Sequence, residues 1–195
     1  MARKAGSHAD ITGPAIHDAA LRLFSRSGYA AVSMREIASE VGVRAGALYL
    51  YTPDKQTLLF DLMRDHLETL LANWDVAKSG DTPLERLRAF VDFHVEYHFE
   101  LRDKVMVSYM ELRNLSEDNF LVIQKLRRSY EDRLEGILKA GQESEAFRFE
   151  DVRVTTMALL AMLSGYITWY QSGGRLDKDD IKRIHWDLAR AMVGA

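Results

Sequence analysis

The stretch from Ser33 to Lys55 limits the possible fold more than any other part of this sequence. Ser33 is followed three residues later by Glu36, the S-x-x-E pattern of a capping box, which predicts that a helix begins here. Gly42 predicts the end of that helix, because glycine enters the left-handed backbone region without a steric cost. The helix is therefore short, and we expect a sharp turn after it.

A second short helix is expected directly after this turn, from about Arg44 to Leu50. Thr52 is predicted to cap a third helix, with Pro53 at its first position. Two short helices joined by a glycine turn predict a helix-turn-helix, whose second helix enters the DNA major groove. The alternative is a helical corner that only packs against its neighbours. A helix this short is unstable unless the fold presents it, which favours DNA binding.

The same stretch resembles the DNA-binding signature of the TetR family of transcriptional regulators, over roughly residues 12–60. The residues that carry the resemblance are Ser33-Met34-Arg35-Glu36-Ile37-Ala38, Val41-Gly42-Val43, Gly46-Ala47-Leu48-Tyr49-Leu50-Tyr51 and Lys55. The resemblance implies a homodimeric repressor that binds a palindromic operator and is released by a small effector. The predicted DNA contacts are Ser33, Arg35, Arg44, Ala45, Gly46, Tyr49, Leu50, Tyr51 and Lys55.

The charges are unevenly distributed along the 195 residues, which carry a net charge of −3. Residues 1–55 contain seven Lys and Arg against five Asp and Glu, whereas the remainder contains 19 against 24. A mildly basic head on an acidic body suits a protein that touches DNA at one end. The absence of cysteine excludes disulfides and thiolate metal sites. The first residues lack the apolar core of a signal peptide, so we expect a cytoplasmic protein.

Helical periodicity dominates the rest of the chain and predicts an all-α fold of about nine helices. We expect a DNA-binding domain at 1–52, with 1–10 as a flexible arm and a first helix from near Thr12. An effector-binding and dimerisation domain is expected at 53–195. Thr82 and Glu85 form a second capping box. A later helix, from 116 to 141, is expected to present Lys125, Arg127, Arg128 and Arg133 to solvent.

Residues 154–174 contain no charged side chain, so a membrane span must be considered. The densely apolar part covers only 157–163, and polar residues surround it, so a buried or interface helix is favoured. In the resembled family, the last two helices form the dimer. The predicted dimer interface is therefore Ala158, Ala161, Ser164, Gly165, Ile184 and Leu188.

Three further runs look like a TetR branch that controls lipid and steroid breakdown and responds to acyl-CoA thioesters. These runs are 109–115, 126–132 and 169–176. The branch resemblance implies an acyl-CoA effector, with apolar residues around the acyl chain and arginines, Arg128 among them, at the phosphates. Another hydrophobic ligand, such as a drug or aromatic compound, is the alternative. The predicted ligand-binding residues are Phe90, Phe93, His94, Tyr97, Tyr109, Met110, Arg113, Arg127, Trp169, Tyr170 and Arg175.

No sequence motif for phosphate-loop binding, serine hydrolysis or zinc proteolysis is present, so we predict neither an enzyme nor a cofactor. His94 and His98 are one helical turn apart, a spacing that suits metal binding. No third ligand accompanies them, and apolar residues surround them. A pair of core or pocket histidines is therefore favoured over a metal site.

Overall fold

The computed structural model describes residues 6–171 and 173–195, with side chains from Thr12 onward. Within these residues the chain forms nine α-helices and two short 3₁₀ segments, with no strand, which confirms the predicted all-α class. The helices are α1 (Gly6–Ser27), α2 (Met34–Val41), α3 (Ala45–Leu48), α4 (Lys55–Ala77), α5 (Pro83–Glu100), α6 (Arg102–Met110), α7 (Glu117–Glu143), α8 (Val152–Gly165) and α9 (Lys178–Val193). The 3₁₀ segments are Leu112–Asn114 and Tyr166–Thr168.

The first helix starts earlier than the sequence predicted. It begins at Gly6 rather than near Thr12, so residues 6–10 of the expected flexible arm are helical, and residues 1–5 lie outside the described part. A start near Thr12 would put Pro14 in the first turn, where proline is favoured because it lacks an N–H. The structure instead carries the helix across Pro14, with one backbone hydrogen bond missing there.

Contacts divide the chain into two compact units. The first contains the residues up to His66 together with Asp103–Ile123, and the second contains Leu67–Arg102 and Gln124–Ala195. In the first unit α1 packs on α2 and α2 on α3. The fully buried side chains at this junction include Ile16, Phe24, Ile37 and Leu48. The predicted boundary at 52/53 remains a prediction, and α4 runs through both groups of residues.

The start of α4 also differs from the prediction. Asp54, not Thr52, caps the helix, because Asp54 Oδ1 accepts a 2.7 Å hydrogen bond from the N–H of Thr57. Thr52 is buried and its hydroxyl donates to the Asp54 carbonyl at 3.1 Å. A cap side chain must reach the N–H three residues ahead, and with the helix beginning at Lys55 only Asp54 has that spacing.

In the second unit α5 packs on α8 and α9, and α8 packs on α9. The predicted capping box at the start of α5 is confirmed: Thr82 Oγ1 accepts from the N–H of Glu85 at 3.3 Å, and Glu85 accepts from the N–H of Thr82 at 3.0 Å. Asp177 caps α9, because its side chain accepts a hydrogen bond from the N–H of Asp180. Among the described residues, none of the helices combines the length and apolar character that crossing a bilayer requires.

Candidate nucleic-acid interface and effector cavity

Local hydrogen bonds fix the turn of the helix-turn-helix. Ser33 Oγ accepts from the N–H of Glu36 at 3.2 Å, and the Glu36 carboxylate accepts from the N–H of Ser33 at 2.6 Å. Gly42 adopts φ 76°, and the N–H of Val43 donates to the carbonyl of Ala38 at 2.9 Å. This is the left-handed helix ending that glycine favours. The predicted beginning and end of α2 are both confirmed.

The helix α3 is shorter than expected. It covers Ala45–Leu48, and beyond it the N–H of Tyr51 donates to the Leu48 carbonyl at 2.9 Å in a tighter turn. Leu48 is fully buried and anchors the segment. The three residues after Leu48 therefore project outward from a fixed point.

The predicted DNA contacts all lie in the first unit, and most of them are exposed. Tyr49 is 54% exposed, Leu50 84% and Tyr51 39%. Ala45 and Lys55 are half-buried. The remaining exposed members are Ser33, Arg35, Arg44 and Gly46. Exposed aromatic and apolar side chains directly after a short helix that one buried leucine anchors, with exposed arginines in the same unit, are what a DNA-reading element requires.

Lys55 has a structural task that the sequence did not predict. Its Nζ donates hydrogen bonds to the carbonyls of Tyr29, at 2.8 Å, and Val32, at 2.7 Å. It also lies 4.1 Å from the centre of the Tyr29 ring. Two of its three N–H donors are thus used to tie the α1–α2 loop to the start of α4. A contact of Lys55 with DNA phosphate remains a prediction.

A cavity of about 240 Å³ with mainly aromatic walls lies in the second unit, and we call it the aromatic cavity. Tyr166 is held in its wall by a 2.8 Å hydrogen bond from its hydroxyl to the Val95 carbonyl. Arg102 donates to the Ile167 carbonyl at 3.0 Å. The lining residues are His98, Phe99, Arg102, Tyr166, Ile167 and Tyr170. With one cation and mainly aromatic walls, this space suits an apolar group.

A second, shallower cavity of about 190 Å³ shares Tyr170 with the aromatic cavity. Trp169, Gln171, Gly174, Arg175 and Leu176 complete its lining. Trp169 is 55% exposed. An exposed indole next to an arginine can hold a flat or anionic group.

His94 and His98 stack with ring centres 3.7 Å apart inside the second unit. His94 lies 3.1 Å from the hydroxyl of Tyr130 through Nδ1 and 3.1 Å from that of Ser164 through Nε2. His98 Nδ1 donates to the carbonyl of His94 at 2.9 Å. Burial first, and then the nearby His185, lower the pKa of His94 to about 3. His94 is therefore neutral at physiological pH, and both of its nitrogens are engaged in the protein interior.

An exposed apolar stripe runs along α8, and we call it the α8 stripe. It consists of Val154, Met157, Ala158 and Ala161, which share one helix face by their spacing. Leu188 of α9 is also 47% exposed. Leu188 therefore points outward in the single chain, and its place in the dimer interface remains a prediction. Ser164, also predicted at the interface, is buried in the single chain, and its hydroxyl lies 3.1 Å from His94 Nε2. Its place in the interface remains a prediction.

Two family matches cover most of the chain. Residues 16–62 match the family of bacterial regulatory proteins named tetR, and residues 80–193 match the tetracyclin repressor-like C-terminal domain. The second match alone exceeds half of the chain. The protein belongs to the TetR family of transcriptional regulators.

Three similar proteins illustrate this TetR-family membership. The transcriptional repressor KstR2 of Rhodococcus jostii is 25% identical over 174 residues, 88% of this chain and 85% of its own length. The fatty acid metabolism regulator of Bacillus subtilis is 25% identical over 165 residues, 83% of this chain and 85% of its own. A structure of AibR with isovaleryl coenzyme A and operator DNA has 24% identity and a TM-score of 0.85, and the match covers 91% of this chain and 97% of AibR.

The structure distributes the predicted effector residues of this TetR-family chain over several places. Phe90, Phe93, His94 and Tyr97 lie in one cluster of stacked rings on α5. Trp169, Tyr170 and Arg175 line the two cavities described above. Arg127 is half-buried on α7, and Tyr109, Met110 and Arg113 belong to the first unit, where they are exposed. Among the residues that the structure describes, no group of three potential ligands could hold a metal ion.

Several residues that join distant segments or line a cavity carry no signal in the sequence. Gln56 donates to the Asn114 carbonyl at 2.8 Å and accepts from the N–H of Ser116 at 3.0 Å, which ties α4 to the segment after α6. Arg102 and Tyr166 line the aromatic cavity. No local pattern marks these residues, because each contact joins positions more than fifty residues apart.

Proposed function

We propose that this TetR-family protein is a homodimeric repressor that binds a palindromic operator and is released by a small apolar effector, foremost an acyl-CoA thioester. The observation that carries the DNA-binding part is the presented tip of α3, with Tyr49, Leu50 and Tyr51 exposed after the buried Leu48. Arg35 on α2 and Arg44 at the start of α3 are exposed and supply positive charge in the same unit. Tyr49→Ala and Arg44→Ala should weaken operator binding in fluorescence anisotropy, and Lys125→Gln on α7 serves as the control. Wild-type affinity in both variants at matched salt would remove this assignment.

The dimer is expected to form through the α8 stripe and Leu188. Their exposed apolar surface is costly in water and is favourable when a second copy covers it. Ala161→Glu would place a charge on this surface. We expect it to give monomers in analytical ultracentrifugation, whereas Ala146→Glu in the exposed α7–α8 loop should leave the dimer intact. A dimer of unchanged affinity in Ala161→Glu would place the interface elsewhere.

The aromatic cavity supports an effector with a compact apolar part. Its volume of about 240 Å³ lies just below the usual ~300–1,000 Å³ of small-molecule sites. A branched or ring-bearing acyl group therefore fits better than a long straight chain. Each methylene removed from water contributes ~0.8 kcal/mol, so affinity should rise with size until the cavity is full and then fall.

The decisive experiment is a titration of the preformed protein–operator complex with acyl-CoA thioesters of increasing size. The corresponding free acids are titrated in parallel. Release by thioesters at micromolar concentration, and much weaker release by free acids, is the expected result. If free acids act equally well, or no thioester releases the operator, the acyl-CoA assignment is wrong.

A drug or aromatic compound without a phosphate group is the second candidate. The observation that favours it is the wall of the aromatic cavity, where Phe99 and Tyr170 meet edge to face with ring centres 4.6 Å apart. Such a wall accepts flat neutral rings as readily as acyl groups. Release of the operator by neutral aromatic compounds, but by no thioester, would select this candidate.

Coupling between effector and operator is proposed to run through α6. Arg102 at its start lines the aromatic cavity, and the next residue, Asp103, accepts a 2.7 Å hydrogen bond from Ser25 of α1. A coupling free energy of ~1–3 kcal/mol suffices for a five- to 150-fold change in operator affinity. Ser25→Ala should retain effector binding while reducing effector-driven release. Wild-type release in this variant would move the coupling to another contact.

A further inference from the structure

A cationic groove of about 540 Å³ lies at the end of α4, and none of the predicted effector residues lines it. All of its lining belongs to the second unit. We call it the Trp74 groove. Its lining residues are Trp74, Asp75, Lys78, Ser79, Gly80, Arg86, Arg133, Gly136 and Ile137. Three basic side chains against one acidic side chain give the groove a positive balance.

Asp75 is the internal partner of two of these cations. Its carboxylate pairs with Lys78 at 3.1 Å and with Arg133 at 3.4 Å. These contacts, with Lys78 as the largest contribution, lower the pKa of Asp75. Arg86 donates through Nε to the Gly80 carbonyl at 3.0 Å, which fixes its guanidinium beside the groove. The carboxylate of Asp75 thus pairs with two cations, one just after α4 and one on α7, and an arriving anion would compete with it.

Trp74 forms the apolar floor of the groove. It is only 3% exposed, and its ring meets Phe90 at 5.0 Å and Phe93 at 5.5 Å between centres. From Phe93 the contacts continue to Tyr97 at 5.6 Å, and from Tyr97 to His98 at 6.1 Å. His98 lines the aromatic cavity. A continuous seam of rings therefore connects the cationic groove with the aromatic cavity.

We propose that the Trp74 groove binds the phosphate-bearing head of an amphipathic effector, and that the effector's apolar part enters the ring seam past Trp74. The inference rests on the proposed function and adds the position of the head and the path of entry. The groove has the volume of a small-molecule site, whereas the Arg175 side of the molecule offers one cation and about 190 Å³. A head with several phosphate charges is better matched by Lys78, Arg86 and Arg133 together.

Substitutions at Asp75 and at the cations should change phosphate binding in opposite directions. If the groove binds phosphate, removing a cation weakens binding, and removing the competing carboxylate strengthens it. We would measure free coenzyme A, which has the head but no acyl group, by isothermal titration calorimetry. Lys78→Gln and Arg133→Gln should each weaken its binding by about three- to tenfold, and Asp75→Asn should tighten it by about threefold. Lys125→Gln, on the same helix as Arg133 but outside the groove, should change nothing.

A purely structural role predicts a different pattern. Substituting Asp75 or either of its cationic partners would then lower the stability of the protein by similar amounts. Coenzyme A affinity would be equal in all four variants. That result overturns the proposal. The proposal is also overturned if the wild-type protein binds coenzyme A no better than Lys78→Gln does. If acyl-CoA still releases the operator in that case, the proposed function stands and only this site is wrong.

The position of Trp74 can be followed separately. In the double variant Trp169→Phe and Trp186→Phe, Trp74 is the remaining tryptophan. An acyl-CoA that releases the operator should shift its emission to longer wavelength, because the indole leaves its buried place, whereas free coenzyme A should not. Unchanged emission at saturating acyl-CoA would show that the apolar part does not pass Trp74.

Discussion

The neutral His94 makes the stability of this protein depend on pH in a predictable direction. In the folded chain its pKa is about 3, because the ring is fully buried, whereas a histidine in an unfolded chain has a pKa near 6.5. The folded-state pKa is depressed, so the unfolded chain binds more protons below pH 6.5. Stability is therefore intact above about pH 7 and is lost progressively as the pH falls toward 3.

The magnitude follows from the same values. One pKa unit corresponds to ~1.4 kcal/mol, and pH 5 lies about 1.5 units below the unfolded pKa, so His94 should cost about 2 kcal/mol between pH 7.5 and 5. Most carboxylates stay ionised over this range, which separates the effect from acid titration of Asp and Glu. The comparison variant is His94→Gln, which cannot titrate.

The assay is urea unfolding at pH 7.5, 6 and 5, at one fixed protomer concentration because dimer formation adds to stability. At pH 7.5 His94→Gln should be less stable, since Tyr130 and Ser164 lose part of their hydrogen bonding. At pH 5 the difference should have shrunk by about 2 kcal/mol. An identical pH dependence of the two proteins would refute the reasoning. If the variant does not fold, an NMR titration of the wild-type imidazole resonances tests the same point. The His94 ring must then remain neutral at pH 5.

Two further pairs of substitutions separate structural from functional effects. Lys55→Met should lower both the thermal midpoint and the operator affinity, because two backbone carbonyls lose their donor. Arg35 is exposed, so Arg35→Gln should leave the thermal midpoint unchanged and lower the salt slope of operator binding by about one. Equal melting of the two variants would contradict the assigned role of Lys55. On α7, Gly141→Ala should destabilise by about 1–3 kcal/mol, because its methyl group would overlap the buried ring of Phe147. Gly136 has open space around it, so Gly136→Ala should stabilise the protein by up to about 1 kcal/mol. If urea unfolding shows both variants stabilised or both destabilised, the close contact between Gly141 and Phe147 is contradicted.

Several elements could be predicted from sequence because their signals are local. The capping boxes at Ser33 and Thr82 depend on residues three positions apart, and the end of α2 depends on one glycine. The start of α4 does not follow from a local signal in this way. There Thr52 and Asp54 both have the chemistry of a cap, and the position of the first helical turn decided between them.

The family, the all-α class and the helix-turn-helix were thus determined by the sequence alone, since short-range spacing encodes them. The tertiary structure decided what individual polar side chains do. The Nζ of Lys55 donates to two backbone carbonyls, the hydroxyl of Ser164 lies within hydrogen-bond distance of His94, and Arg133, expected to face solvent, pairs with Asp75 beside Trp74. Each of these contacts joins residues 23 to 70 positions apart. A side chain's partner across such a distance depends on how the helices pack, and no local sequence pattern predicts that packing.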